Sequence, residues 1–124
     1  MFRLTILVAI FMSSFASAEF DVLSFPTKPD DSMTVGSFCD EKDPDFVGYR
    51  YKERIPFCIR NVSRHLKARI YRMYGVSEKC WKEYTIDHYI PLSMGGSNAQ
   101  DNLWPEHKKV KATRQNLEQS LYLE

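Results

Sequence analysis

Residues 84–107, YTIDHYIPLSMGGSNAQDNLWPEH, constrain the fold more than any other stretch of this chain. From Tyr84 to Leu92 β-branched and aromatic residues nearly alternate with polar ones, which predicts a strand ending near Pro91. Gly95-Gly96-Ser97-Asn98 is a turn signal. Asn102-Leu103-Trp104 then reads as a short return strand, and Pro105 suits the first turn of a helix, with Glu106 near its positive end. Helix-forming residues continue to Tyr122, with Val110, Leu117 and Leu121 on one broad face.

Chemistry concentrates in the same stretch. Asp87 and His88 are adjacent at the predicted strand end, and Asn102 follows fourteen residues after His88. Regular strand geometry sends adjacent side chains to opposite faces, so a bend or bulge would be needed to bring both to one site. Asp87 offers a hard oxygen ligand to a divalent cation. His88 offers a base that can be neutral near pH 7. Hydrolysis of a phosphodiester needs a base for water, charge neutralisation at phosphorus and stabilisation of the departing 3′ oxygen. One Mg²⁺ can supply the last two.

The order Asp-His, Ile-Pro-Leu, Gly-Gly, Asn-Leu resembles the HNH motif of the ββα-metal nucleases. It is especially similar to a branch of small exported bacterial HNH-like proteins with a Tyr-Thr-Ile-Asp-His and Asn-Leu-Trp-Pro-Glu signature. The likeness extends back through Asp43-Pro-Asp-Phe, Arg50-Tyr51 and Arg60-Asn-Val-Ser63. It implies an α+β fold: a small ββα-metal core, an added basic N-terminal helix and an irregular N-terminal segment. It also implies a metal-dependent endonuclease acting on DNA, with RNA as a further substrate. His88 would be the general base, Asp87 would ligate the metal, and Asn102 would orient the histidine loop or lend its amide oxygen to the metal. The metal would be Mg²⁺, with Mn²⁺ as an alternative. Many members carry a final His or Asn nine residues after the central Asn. Here that position is Lys111, which cannot ligate while charged, so His107 or Glu118 would have to substitute.

Charge is unevenly distributed. Residues 19–45 carry eight acids and two bases, a net of −6. Residues 46–76 carry eight bases and one acid, a net of +7, and residues 77–124 carry six bases and seven acids, a net of −1. A concentrated basic block can face phosphates even when the total is near zero. Val62, Leu66, Ile70 and Met73 predict an amphipathic helix over 59–74, capped by Asn61 or Ser63 and ended at Gly75. Arg60, Arg64 and Lys67 on its other faces, joined by Lys108 and Lys111, are the candidate contacts to nucleic acid. His65 in the same helix reads as structural or phosphate-facing.

Arg3, the apolar run from Leu4 to Met12 and the close Ala16-Ser17-Ala18 form the three-part pattern of a secretory signal peptide, with cleavage before Glu19. The expected organisation is a signal peptide over 1–18, an irregular acidic segment over 19–48 and a nuclease-like domain over 49–124. The mature protein would be secreted or periplasmic, with no stable membrane anchor. Asp40, Asp43 and Asp45 do not have EF-hand spacing and read as a solvated acidic loop. In an oxidising compartment the three cysteines allow one disulfide, for which Cys39–Cys58 is favoured. Cys80 would be buried beside Trp81 or paired with another chain. Two further functions compete with the nuclease. One is a catalytically silent module that binds nucleic acid through the basic helix. The other is an exported structural or interaction protein.

Overall fold

The computed structural model describes residues 25–114; the signal-peptide pattern and Glu118 lie outside the described residues. The fold is a small mixed α/β arrangement of two antiparallel two-stranded sheets and one main helix. Strands β1 (Phe46–Arg50) and β2 (Ile55–Cys58) form the first sheet, and β3 (Tyr84–His88) and β4 (Leu103–His107) form the second. Helix α1 (Arg64–Met73) lies between them in sequence.

Helix α1 packs its apolar stripe on the second sheet. Ile70, Tyr71, Ile86 and Leu103 form the buried cluster, flanked by Val62, Leu66, Tyr74, Val76, Trp81 and Tyr84. Burying a residue such as Ile70 contributes about 1.5–3 kcal/mol. The helix is shorter than its periodicity predicts. Ser63 caps it, its hydroxyl accepting from the Leu66 N–H at 3.1 Å. Residues 59–63 stay outside the helix, and the Arg60 side chain instead donates to the edge of β3. The far end closes with Gly75 at φ +68, where Gly75 N–H donates to Arg72 C=O and Val76 N–H to Tyr71 C=O. This pair of bonds satisfies the last carbonyls and needs a left-handed residue.

Two expectations fail locally. Pro105 and Glu106 do not begin a helix; they continue β4, and the helical turn starts at 108. Pro105 faces Ile86, whose carbonyl points away from β4 and accepts from Arg60. At such a non-hydrogen-bonded pair both N–H groups point outward, so the missing proline donor leaves no gap in the ladder. Strand β3 also stops at His88 rather than near Pro91: Tyr89 N–H still bonds in register to the Asn102 carbonyl, but Ile90 N–H and C=O turn to the Asn102 side-chain amide.

The first hairpin was hidden in sequence. Strand β1 begins at Phe46, inside the stretch that reads as irregular, and Pro56 obscures β2. The connecting turn places Tyr51 and Arg54 at positive φ, residue types that do not announce such a turn. The Cys39–Cys58 disulfide is formed as expected, with both residues buried and Cα atoms 5.9 Å apart. It fastens β2 to the loop-rich segment before it, and closing a loop of that size contributes about 3 kcal/mol. This disulfide is consistent with an extracellular location. Among the described residues no helix is long and apolar enough to cross a membrane.

Candidate active site

The β3–β4 register is continuous from Tyr84↔His107 to His88↔Leu103, with no bulge. Alternation therefore sends Thr85 and Asp87 to one face and Tyr84, Ile86 and His88 to the other. The adjacent Asp87 and His88 build two separate environments rather than one.

His88 sits at the end of β3, half-buried. Its Nε2 is 2.9 Å from Asn98 Oδ1. Its Nδ1 lies 3.5 Å from Arg60 Nη1, while Arg60 Nη2 donates to Ile86 C=O at 2.9 Å. Burial holds the imidazole below its ordinary value, and the Arg60 charge adds to that; the Asn98 hydrogen bond and the Asp87 charge oppose it. The ring is thus neutral near pH 7, with a guanidinium at its open edge. Such a pair can accept a proton and meet an anion together. A cavity of about 290 Å³ touches His88 but is otherwise lined by Pro29, Tyr89, Pro91, Trp104, Glu106 and Arg114, with neither Arg60 nor Asn98 on it.

On the other face Asp87 is engaged. Thr85 donates to its Oδ2 at 2.8 Å, and Lys111 Nζ lies 3.4 and 3.5 Å from its two oxygens. The cross-strand partner of Thr85 is Glu106, whose side chain is buried and takes two hydrogen bonds from Arg114, at 3.0 and 2.9 Å. Burial pushes Glu106 up, and its hydrogen bond with Asp87 pushes further, against the pull of Arg114. Burial would raise Asp87 too, but hydrogen bonds from Glu106 and Thr85 and the Lys111 charge hold it below the usual carboxylate range. The two carboxyls influence each other, and Asp87 is the more readily ionised of the pair.

Among the described residues, Asp87, Asn102 and His107 do not converge on one point; Glu118 lies outside them. Lys111 stands where a cation would meet Asp87. Asn102 is fully buried, and its amide is consumed: Oδ1 accepts from Ile90 N–H at 2.9 Å, and Nδ2 donates to Ile90 C=O and Ser97 C=O at 3.0 and 2.8 Å. It clamps the loop after β3 from a position with no exposure to solvent. A Cβ on Gly96 would lie 1.8 Å from Ile90 O, so only glycine lets that loop close. His107 falls on the face away from Asp87, stacked on Phe25 at 4.0 Å, with its Nδ1 accepting from Lys109 N–H. A different grouping could hold an ion: the Cys39 and Cys58 sulfurs and an Asp43 oxygen lie within 4.8 Å of one another. Its two sulfurs are bonded to each other, so it would do so only when reduced.

Of the residues expected to meet nucleic acid, Arg60, Arg64 and Lys108 are exposed and Lys67 is partly so. Lys111 is committed to Asp87. His65 is exposed on the helix surface, away from the core. The residues that sequence reasoning missed are Asn98, Asp45, Glu106 and Arg114. Asn98 looked like a turn residue, and Asp45 like part of a solvated loop. Glu106 would have been found by reading Trp104-Pro105-Glu106 as strand, since its alternation places it beside Thr85 and Asp87.

Searches against protein-family models, curated proteins and solved structures return no match for this chain.

Proposed function

We propose that this chain is an exported HNH-type phosphodiesterase acting on nucleic acid, DNA in the first place, with His88 as general base. The observation that carries it is the neutral imidazole of His88 with Arg60 at its open edge. The β3–β4 hairpin followed by a helical turn from 108 is compatible with a ββα core. The resemblance over residues 84–107 supplies the reaction class.

In this reading Arg60 Nη1 leaves His88 Nδ1 to bind a non-bridging phosphate oxygen and holds the phosphodiester beside the imidazole. Nδ1 takes a proton from water as the water oxygen bonds phosphorus. The P–O3′ bond breaks, and the 3′ oxygen leaves with a proton from solvent. Arg64 and Lys67 extend the positive surface along the backbone. Such contacts set affinity and register but carry no sequence preference. Asp87 could receive the divalent metal of the resemblance only by giving up Lys111.

The test is cleavage of supercoiled plasmid by the purified mature protein, with and without Mg²⁺, Mn²⁺ or EDTA, beside His88→Ala. Cutting that vanishes in a folded His88→Ala variant supports the reading. Cutting retained by that variant overturns it.

A second reading has its own observation. The Lys111–Asp87 pair leaves the implied metal position filled, as expected of a module that keeps the fold, binds nucleic acid and has lost the chemistry. Salt-sensitive DNA binding without cleavage under any divalent metal would select it.

A further inference from the structure

We infer that Asn98, held in turn by Asp45, is the positioning residue that fixes His88 in its Nε2–H tautomer and leaves Nδ1 as the proton acceptor. This rests on the reading of His88 as the base, and it adds the residues that decide which nitrogen does the work.

The hydrogen bonds around Asn98 permit one orientation of its amide. Nδ2 donates to Asp45 Oδ2 at 3.0 Å and to Ile59 C=O at 2.8 Å, two groups that can only accept. Oδ1 accepts from Asn61 N–H at 3.2 Å, a group that can only donate. A flipped amide would set oxygen against two acceptors and N–H against a donor, losing all three bonds. Oδ1 is therefore the atom facing His88 Nε2 at 2.9 Å, and only a protonated Nε2 can bond to it. The neutral ring then carries its lone pair on Nδ1. Arg60 Nη1 meets that atom at 3.5 Å, and a guanidinium has donors and no acceptor, so Nδ1 accepts from it and a proton on Nδ1 would find no partner there.

Asp45 is part of the device. Its second oxygen accepts from Asn61 Nδ2 at 2.8 Å, and its backbone carbonyl accepts from Ile59 N–H at 3.1 Å. Three chain segments thus meet at Asn98: the approach to β1, the link between β2 and α1, and the loop after β3. The Cys39–Cys58 disulfide pins the second of them one residue before Ile59. Asn98 is itself buried, and no buried polar side-chain atom among the described residues lacks a partner. A satisfied buried polar network of this kind specifies one geometry.

The experiment reads the ring directly. Full-length mature protein labelled with ¹⁵N-histidine is examined by long-range proton–nitrogen correlation at a pH where the ring is neutral. Wild type is expected to show a protonated Nε2 and an unprotonated Nδ1 at His88; the reverse pattern overturns the inference without any variant. In Asn98→Ala the two nitrogens should move towards averaged shifts, and kcat on plasmid should fall at least about tenfold with KM little changed. Unchanged ring shifts in folded Asn98→Ala overturn it. Asp45→Ala removes one of the two acceptors that fix the amide and should move the ring shifts part of the way towards those of Asn98→Ala; unchanged shifts in folded Asp45→Ala remove Asp45 from the device. Wild type without nuclease activity would defeat the proposed reaction, while the ring shifts would still decide the tautomer.

Discussion

The ammonium of Lys111 stands 3.4 Å from a carboxylate oxygen of Asp87, on the face of β3 turned away from the His88 side chain. This pair divides the candidate site. It neutralises the acid that the resemblance assigns to a metal and leaves His88 to Arg60 and Asn98.

Removing Lys111 should open Asp87 to cations. Both side chains are partly exposed, at 32% and 18%, so solvent screens the pair. A screened pair of this kind is worth about 0.2–1 kcal/mol. Lys111→Ala should therefore bind Mn²⁺ more tightly, by up to about fivefold on that scale, as measured by calorimetric titration. Equal affinities in the two proteins would show that Lys111 does not compete with metal at Asp87.

His88 should make stability and activity fall on the acid side. Its folded value lies below its ordinary one, with burial the largest cause. The unfolded chain thus takes up a proton more readily. Stability from this group is complete above pH of about 6.5 and is lost as pH falls through the lower folded value. Melting temperature followed from pH 8 to 4 should drop less in His88→Gln than in wild type. The acid limb of kcat/KM for DNA should have its midpoint below the ordinary histidine value. A midpoint above it would contradict the neutral, buried ring.

Glu106→Ala should destabilise the sheet. The carboxyl is 1% exposed and accepts two hydrogen bonds from Arg114, so truncation removes both. Breaking a buried ion pair costs about 3–5 kcal/mol, less here because Arg114 is half exposed, so about 2 kcal/mol is expected in urea unfolding. Glu106→Gln keeps one acceptor oxygen for Arg114 and should cost less. Equal losses would show that the charge of Glu106, rather than its shape, carries the contact.

Asn102→Ala should unfasten the loop after β3. It leaves Ile90 N–H, Ile90 C=O and Ser97 C=O without partners, at about 1–3 kcal/mol for each group that water cannot reach. Amide exchange at Ile90 should accelerate strongly while exchange in α1 changes little. Uniform acceleration over the whole chain would mean that Asn102 supports the global fold rather than this loop.

Much of the second sheet was legible. The alternation from Tyr84 to His88 and the Gly-Gly turn describe local backbone preference, which a sequence displays. So do the Ser63 cap and the Gly75 stop of α1. What escaped was non-local. Pro105 reads as a helix start until its place opposite Ile86 shows that its missing N–H faces outward. The β1–β2 hairpin turns on positive φ at Tyr51 and Arg54, which neighbouring contacts impose against residue preference. Asn98 reads as a turn residue until Asp45, 53 positions away, is brought against it.

By itself, then, the sequence determined the strand–turn–strand unit, the apolar face of α1 and the residue types able to do acid–base chemistry, and it favoured the disulfide that forms among the three cysteines. Each follows from periodicity, local turn chemistry or side-chain chemistry. Tertiary structure alone decided that Asp87 faces Lys111 while His88 faces Arg60, that Asn102 clamps a loop, and that Asn98 dictates which nitrogen of His88 carries the proton. Those outcomes depend on which distant donors and acceptors converge, and hydrogen bonds and ion pairs take effect only over a few ångströms.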